Sequence, residues 1–252
     1  MRSDFKDIVF VVIIWAIFAA IGYAVVLMFT PFPVAAAEEA HLFDEAFTVL
    51  TLFAVPVFTF VIAVLVYAAV RFRVRGEPTE DGPPERGHKP VIITWFAGSA
   101  VLTAVLIVYP GLTGILDLRR LDREPADVVV QLDAMRFSWV ATYPEEGVFS
   151  RSPRGDLVLP VNEHVRFDIT SRDVLHSFWV PGFRIKIDAV PGMTTHTSAT
   201  PTRIGDFQED VNYRVQCAEM CGVGHNGMLM KIRVVSREDY EAWIAEQSPI
   251  RQ

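Results

Sequence analysis

The feature that most limits how this chain can fold is a set of three long apolar runs in its N-terminal half. They cover residues 8–29, 47–70 and 91–116, and they contain no Asp, Glu, Lys or Arg. About 20 apolar residues cross a bilayer as a helix, so each run is long enough to span a membrane. A helix of a soluble protein would normally carry a polar face as well. The sequence therefore predicts membrane-spanning helices, with a helical hairpin over residues 41–118.

The loops between the runs predict how the chain is oriented in the membrane. Residues 30–46 contain no Lys or Arg and are acidic. The loop after the second run carries five basic side chains: Arg71, Arg73, Arg75, Arg86 and Lys89. Basic loops are retained on the cytoplasmic side. We therefore expect an integral membrane protein, in a bacterial-type plasma membrane, whose C-terminal region lies on the periplasmic or extracellular face.

The N-terminal apolar segment, residues 1–37, allows two interpretations. Arg2 and Lys6 precede the apolar run, and the small residues 34–37 follow it, as at a signal-peptidase site. The run is nevertheless longer than the apolar core of a typical signal peptide, which is about 7–15 residues. A retained transmembrane helix and a cleaved signal peptide both remain open.

From residue 128 onward the sequence changes to short β-rich segments separated by Pro, Gly, Asn and Asp. Their predicted ranges are 128–132, 136–140, 157–159, 165–169, 184–187, 194–199, 212–216 and 229–235. Many short strands at this spacing predict a β-sandwich or Greek-key barrel. We place this domain at residues 127–236, followed by a short closing helix and tail at 237–252.

The chemistry of the chain is concentrated in residues 217–228. This stretch holds both cysteines of the protein, Cys217 and Cys221, together with His225 and Met228. Soft sulfur ligands combined with imidazole suit copper better than a hard cation. Two thiolates this close in sequence could bridge two copper ions. Such a two-copper site would need a second histidine besides His225, and His176 is the best candidate. A disulfide and a zinc site are the alternatives, although the usual zinc spacings do not predict Met228.

These residues resemble the dinuclear copper (CuA) domain of cytochrome c oxidase subunit II. The match is Cys-x-Glu-x-Cys-x3-His-x2-Met from Cys217 to Met228, with Asp-Val-Leu-His-Ser at 173–177 and Lys-Ile-Asp-Ala-Val-Pro-Gly at 186–192. The resemblance covers about residues 41–246. It implies a membrane-anchored all-β protein, in which a two-helix hairpin plus an extra N-terminal helix or signal precedes a cupredoxin-like Greek-key β-barrel.

The resemblance also implies a ligand set for two copper ions. Cys217 and Cys221 would each bridge both ions, His176 would bind one of them and His225 the other. Met228 would be a weak ligand to one metal. The resemblance assigns no catalytic residue to this chain.

Further roles follow from the resemblance for residues around the copper ligands. The main-chain carbonyl of Glu219 would bind one copper, and its side chain would reach a magnesium or manganese ion at the interface with the catalytic subunit. Asp173 and Asp188 occupy acidic positions near the copper face and the partner surfaces. Phe137 stands where the family commonly has the tryptophan that receives electrons, and Trp139 fits a tryptophan packed in the barrel.

One departure from the family pattern concerns protons. Many members carry a glutamate three residues before the tryptophan that begins the second hairpin helix. Here Trp95 is preceded at that offset by Ile92. The sequence therefore does not support proton uptake through this subunit.

The function implied is that of the electron-transfer subunit of a cytochrome c oxidase, a respiratory haem–copper oxidase. It would receive electrons from a c-type cytochrome or another small redox protein and pass them to haem in subunit I, where oxygen is reduced to water. The haem would belong to the partner subunit only, because this chain has no Cys-x-x-Cys-His motif. The alternatives are a CuA-type subunit of a membrane nitric oxide reductase, a copper-free scaffold subunit, and a copper-delivery protein. No basic run suggests nucleic-acid binding.

Overall fold

The computed structural model describes residues 5–29, 31–73, 76 and 87–247. The chain forms two compact units, one made of Met1–Pro31 with Glu45–Gly114 and the other of Phe32–Asp44 with Ile115–Gln252. Arg75 and Arg86 of the predicted cytoplasmic loop, and residues 248–252 of the predicted tail, lie outside the described residues. The domain boundaries proposed from the sequence stay predictions.

The predicted apolar runs fall within helices. In the described residues, three helical segments are long and apolar enough to cross a membrane: Phe5–Met28, Glu38–Arg71 and Lys89–Leu121. We call the first α1 (Phe5–Met28) and the second α2 (Glu38–Arg71), and the third contains α3 (Lys89–Leu106) and α4 (Thr113–Leu121). Helix α2 begins well before its apolar run, because Glu38 and Glu39 in its first turn favour the positive end of the helix dipole.

The third apolar segment is interrupted near its C-terminal end. Between α3 and α4, residues Ile107–Leu112 form a wider π-helical turn, and Tyr109 has non-helical dihedral angles (φ −138°, ψ 126°). Pro110 lacks a backbone N–H and disfavours helical angles in the residue before it. The helix then continues from Thr113 to Leu121 as α4.

Helix α1 packs on α2 through contacts spread along its length. The Trp15 indole N–H donates to the Pro56 carbonyl at 2.8 Å, and the Trp15 ring meets Phe60 edge-on with the ring centres 5.6 Å apart. A methyl group at Gly22 would come within 2.9 Å of Val55, so glycine allows the two helices to approach closely there.

The second unit contains eleven described strands. They are β1 (Val128–Met135), β2 (Ser138–Tyr143), β3 (Val148–Arg151), β4 (Leu157–Pro160), β5 (Val165–Ser171), β6 (His176–Val180), β7 (Ile185–Ala189), β8 (Thr195–Ala199), β9 (Gly205–Asp206), β10 (Arg214–Cys217) and β11 (Leu229–Val235). One sheet has the order β3-β2-β1-β5-β8, and the other has the order β4-β11-β10-β6-β7 with β9 paired to β11. The β1–β5 and β4–β11 pairs are parallel, and the remaining pairs are antiparallel.

The core of this unit lies between the two sheets. Buried residues alternate along β1 and β11, as expected for strands that bury one face. Across the core, the Phe178 ring of one sheet lies 5.2 Å from the Phe167 ring and 6.0 Å from the Trp139 ring of the other. The arrangement is the predicted cupredoxin-like barrel. Helix α5 (Arg237–Glu246) closes it, with the Trp243 ring 5.2 Å from the Tyr143 ring.

The segment that leads into α2, together with the first residues of that helix, is part of the β-rich unit. We call it the N-terminal strap (residues 33–40). The Ala36 N–H donates to the Gly182 carbonyl at 2.9 Å, and the Ala36 carbonyl accepts from the Thr202 N–H at 2.9 Å. Ala36, Ala37 and Ala40 are fully buried. Of the residues that resemble a signal-peptidase site, Ala36 and Ala37 are therefore packed against the barrel.

Arg184 holds the same region from the barrel side. Its guanidinium donates to the Asp44 carboxylate at 2.8 and 2.9 Å and to the Pro33 carbonyl at 2.6 Å. Arg184 is only 11% exposed at its side chain. A largely buried arginine with two carboxylate bonds fixes its partners more firmly than a surface ion pair does.

Candidate metal centre

The twelve residues Cys217–Met228, which we call the sulfur loop, connect two paired strands. Strand β10 pairs antiparallel with β11, and the Cys217 N–H donates to the Met228 carbonyl at 3.0 Å, so both ends of the loop are held together. The Ala218 N–H donates to the Ser177 carbonyl at 3.0 Å. That bond places the start of the loop beside β6, whose first residue is His176.

Five of the predicted ligand side chains come together at this point. The Cys217 and Cys221 sulfurs are 3.9 Å apart. The Cys217 sulfur lies 3.8 Å from His176 Nδ1, and the Cys221 sulfur lies 3.7 Å from His225 Nδ1. The Met228 sulfur is 3.8 Å from that of Cys221. Each thiol therefore has its own imidazole.

These separations fit side chains that share a metal better than they fit a disulfide bond between Cys217 and Cys221. A disulfide would bring the two sulfurs to about 2.05 Å, and both cysteines are free. Ligand atoms bound to one metal at about 2.0–2.3 Å lie about 3.3–3.8 Å from one another in tetrahedral geometry. In the described part of the chain, the one group of three His, Cys, Asp or Glu residues with converging ligand atoms is His176, Cys217 and Cys221.

The chemistry of the donor set points to a soft metal. Two thiols, two imidazoles and a thioether surround the site, and such ligands select copper or zinc over magnesium or calcium. Met228 is fully buried and both cysteines are nearly so. Burial, and then the nearby Cys217, raise the pKa of the Cys221 thiol to about 11. A metal that binds here must displace protons from the thiols.

Asp173 fixes the orientation of His176. The fully buried His176 ring directs Nδ1 toward Cys217, while its Nε2 lies 2.8 Å from the Asp173 carboxylate. Partial burial raises the carboxyl pKa, but the hydrogen bonds from His176 and from the Arg136 and Val174 amides outweigh that effect and lower the pKa of Asp173 to about 2. An ionised carboxylate behind a histidine sets which ring nitrogen is free to bind a metal.

The remaining predicted residues lie around this cluster. The Glu219 carbonyl oxygen is 3.2 Å from the Cys217 sulfur, while the Glu219 side chain is exposed. Trp139 is fully buried on β2, with its ring centre 6.3 Å from that of His176. Asp188 is exposed on β7, where it pairs with Ser177. One strand, β6, therefore lies between Asp188 on β7 and Cys217 on β10.

Phe137 rests directly on the sulfur loop. A methyl group at Gly224 would come within 2.5 Å of the Phe137 ring, and one at Gly222, which has a φ of +134°, within 3.2 Å. Only glycine allows this conformation and this approach together. Phe137 is half-buried, so part of its ring faces outward.

The comparisons with known proteins agree with this geometry. Residues 150–235 match the family model described as cytochrome C oxidase subunit II, periplasmic domain. The chain is 29% identical over 261 residues to the cytochrome c oxidase subunit 2 of Synechocystis sp., covering 86% of this chain and 76% of the relative. The chain is similar to cytochrome c oxidase subunit II over most of its length. It is also 28% identical over 268 residues to the cytochrome c oxidase subunit 2 of Thermostichus vulcanus, with 86% of this chain and 79% of that relative covered.

A shorter stretch shows a closer match. The chain is 45% identical over 93 residues to the alternative cytochrome c oxidase subunit 2 of Bradyrhizobium diazoefficiens, covering 37% of this chain and 31% of that relative. The resemblance to subunit II, predicted from the cysteine motif, is confirmed. Apolar helices together with a periplasmic family domain make the protein membrane-anchored, with the β-rich unit on the outer side.

Sequence reasoning missed two features of this site. It did not predict the contact between Asp173 and His176, because that contact depends on where β6 begins. It also did not single out Leu175 and Val223, which are exposed apolar residues beside the ligands. The close spacing of Gly222 and Gly224 was the one signal that an aromatic ring packs on the loop.

Proposed function

We propose that this chain is the electron-transfer subunit of a respiratory haem–copper oxidase. It takes single electrons from a c-type cytochrome or another small redox protein and passes them to haem in a partner subunit, where oxygen is reduced to water. The observation that carries this proposal is the cluster of two thiols, each with its own imidazole, on a chain similar to cytochrome c oxidase subunit II.

Two copper ions suit this cluster. Cys217 and Cys221 lie 3.9 Å apart at their sulfurs and can both be shared, while His176 lies beside Cys217 and His225 beside Cys221. Met228 lies next to Cys221 and the Glu219 carbonyl next to Cys217, so each end also has a weaker donor. When bound, a dinuclear copper centre supplies a site that accepts and releases one electron at a time.

The protein contributes rigidity and exclusion of water. The paired strands β10 and β11 fix both ends of the sulfur loop, and Asp173 fixes His176. The buried Trp139 ring closes the site on the core side. Ligands held this firmly change position little when the charge at the site changes, which favours electron transfer over bond-making chemistry.

We further propose that Glu219 serves two metals. Its carbonyl points toward Cys217, while its exposed carboxylate is free to bind a magnesium or manganese ion shared with the catalytic subunit. Carboxylate oxygen is a ligand that these harder ions prefer. The catalytic partner is the haem-bearing subunit I, and the membrane is a bacterial-type plasma membrane.

Replacing the bridging thiols tests the function. In the assembled oxidase, Cys217→Ser and Cys221→Ser should each lower donor oxidation by more than about 100-fold, beyond the 10–100-fold effect of groups that only support a ligand. Haem content and the amount of assembled complex serve as controls and should stay unchanged. Electron uptake from the donor at the normal rate in either variant would refute the proposal.

A further inference from the structure

A cavity of about 230 Å³ lies in the β-rich unit, between the start of α2, the end of α4 and the strands β7 and β8. We call it the strap cavity. A molecule of liquid water occupies about 30 Å³, so the cavity has room for a group several times larger than one water molecule. The wall residues that matter here are Glu39, Phe43, Leu118, Arg119, Asp122 and Lys186.

Glu39 places a buried carboxyl group in the wall of this cavity. The residue is only 3% exposed, and its Oε2 accepts from the Thr200 N–H at 3.0 Å. The other oxygen, Oε1, is also buried, and no donor in the described part of the chain reaches it. Buried polar atoms are normally paired, because an unpaired one loses its hydrogen bonds to water without replacement. Oε1 can therefore accept from a donor that the chain itself does not supply.

Two basic side chains of the wall are free to bind an anionic group. Arg119 and Lys186 are exposed, and neither forms an ion pair or a side-chain hydrogen bond among the described residues. Asp122, in contrast, already accepts from the Ser198 hydroxyl at 3.1 Å. Because Glu39 is buried and the two basic residues are exposed, the free cations lie nearer the rim of the cavity than the free carboxyl oxygen does.

The charges of the wall balance. Glu39 and Asp122 are matched by Arg119 and Lys186, and His196 is formally neutral, so the wall carries no net formal charge. An anion alone would leave Oε1 without a donor, and a cation alone would leave both basic groups unpaired. In the described residues, the acidic groups of this wall do not converge as metal ligands. The strap cavity therefore fits a zwitterion.

The cavity also adjoins the parts of the chain that enter the membrane. Phe43 stands four residues before the apolar run 47–70, and Leu118 stands two residues after the apolar run 91–116. Phe43 is 42% exposed, and Leu118 is half-buried. Residues just beyond an apolar span lie at the level of the lipid headgroups, and basic pockets beside membrane helices bind such headgroups.

We propose that the strap cavity binds the headgroup of an aminophospholipid, phosphatidylethanolamine, from the outer leaflet. Its primary ammonium donates to Glu39 Oε1, and its phosphate binds Arg119 and Lys186 at the rim. The acyl chains leave the cavity past Phe43 and Leu118. This inference does not rest on the proposed function, since no residue of the sulfur loop lines the cavity.

Lipid selectivity tests the proposal without any substitution. The purified oxidase complex, stripped of lipid in detergent, would be titrated with short-chain phosphatidylethanolamine, phosphatidylcholine and phosphatidylglycerol, and native mass spectrometry would count the bound molecules. One phosphatidylethanolamine should bind at least about tenfold more tightly than either other lipid, because a hydrogen bond to a charged group is worth about that much. The choline headgroup has no N–H, and the glycerol headgroup has no ammonium. Equal affinities for the three lipids would overturn the proposal.

Glu39→Gln assigns the bound lipid to this cavity. The substitution keeps an oxygen that can accept from the Thr200 N–H but removes the negative charge, so binding of phosphatidylethanolamine should weaken by about tenfold. Glu38→Gln is the matched control, since Glu38 is the preceding residue, is exposed and does not line the cavity. Unchanged binding in Glu39→Gln, or an equal loss in Glu38→Gln, would contradict the assignment.

The phosphate end can be tested separately at the exposed rim. Arg119→Ala and Lys186→Ala should each weaken binding by about threefold, because exposed ion pairs contribute little. Arg120→Ala is the control and should change nothing, since Arg120 is the next residue of α4, is also exposed and does not line the cavity. No effect of either rim substitution would overturn the proposal. Displacement of the lipid by an equal concentration of inorganic phosphate would overturn it as well, because a free anion would then be the occupant.

Discussion

At the scale of single residues, the metal centre depends on a histidine that is distant in sequence. His225 and Met228 follow the cysteines in one loop, so their proximity to Cys221 could be predicted from spacing alone. His176 lies 41 residues before Cys217 and reaches it only because β6 pairs with β10. The sequence suggested it through a family motif, and the strand pairing supplies the physical reason.

The weak ligand can be tested against a matched methionine. Met228→Leu should raise the reduction potential by about 60 mV, which is tenfold in a one-electron equilibrium, because thioether donation favours the oxidised metal. Copper binding should persist while electron transfer slows. Met220→Leu is the control, since Met220 is in the same loop but 75% exposed, whereas Met228 is fully buried.

Spectroelectrochemical titration of both variants would measure the effect. Equal potentials in Met228→Leu and in the parent protein would show that Met228 packs beside the site without binding the metal. A shift in the Met220 variant of the same size would show that the effect comes from the loop as a whole.

At the scale of elements, the N-terminal strap changes the interpretation of residues 34–37. Their small side chains are typical of a signal-peptidase site, yet the backbone of Ala36 is bonded on both sides to the barrel, and Ala36 and Ala37 are fully buried. Removing the strap would break these hydrogen bonds and expose the barrel residues that it covers. Gly182 is one of them, since a methyl group added there would lie 3.6 Å from Ala36. The strap therefore has a structural role that cleavage after Ala37 would remove.

We predict that the mature subunit retains the strap. Intact-mass and N-terminal measurements on the subunit purified from its membrane should give an N-terminus upstream of Pro33, because Arg184 binds the Pro33 carbonyl. A mature N-terminus at Glu38 would contradict this prediction and would favour the signal-peptide interpretation.

The elements themselves were predictable to different degrees. The apolar helices follow from composition, and β11 was predicted with its observed bounds, because its buried residues alternate strictly. Strands β3, β6 and β9 are absent from the predicted ranges, and they are short, with four, five and two residues. Such strands form because the neighbouring strands provide hydrogen-bond partners, which local sequence does not reveal.

At the scale of the whole molecule, the chain divides its tasks between its two units. Apolar helices anchor it to the membrane, and the β-rich unit carries the ligand cluster. The resemblance to subunit II and the fold class could be predicted from one motif and the hydropathy pattern. The contact between Asp173 and His176 could not, because it depends on where β6 begins.

The central claim is that Cys217 and Cys221 hold two copper ions as one electronic unit. The most direct test is an electron paramagnetic resonance spectrum, together with a copper count, on the purified oxidase or on the copper-loaded full chain. The account predicts two coppers per chain and a hyperfine pattern from one unpaired electron shared by both nuclei. A single localised copper, or a copper-free protein with the two cysteines joined as a disulfide, would contradict it.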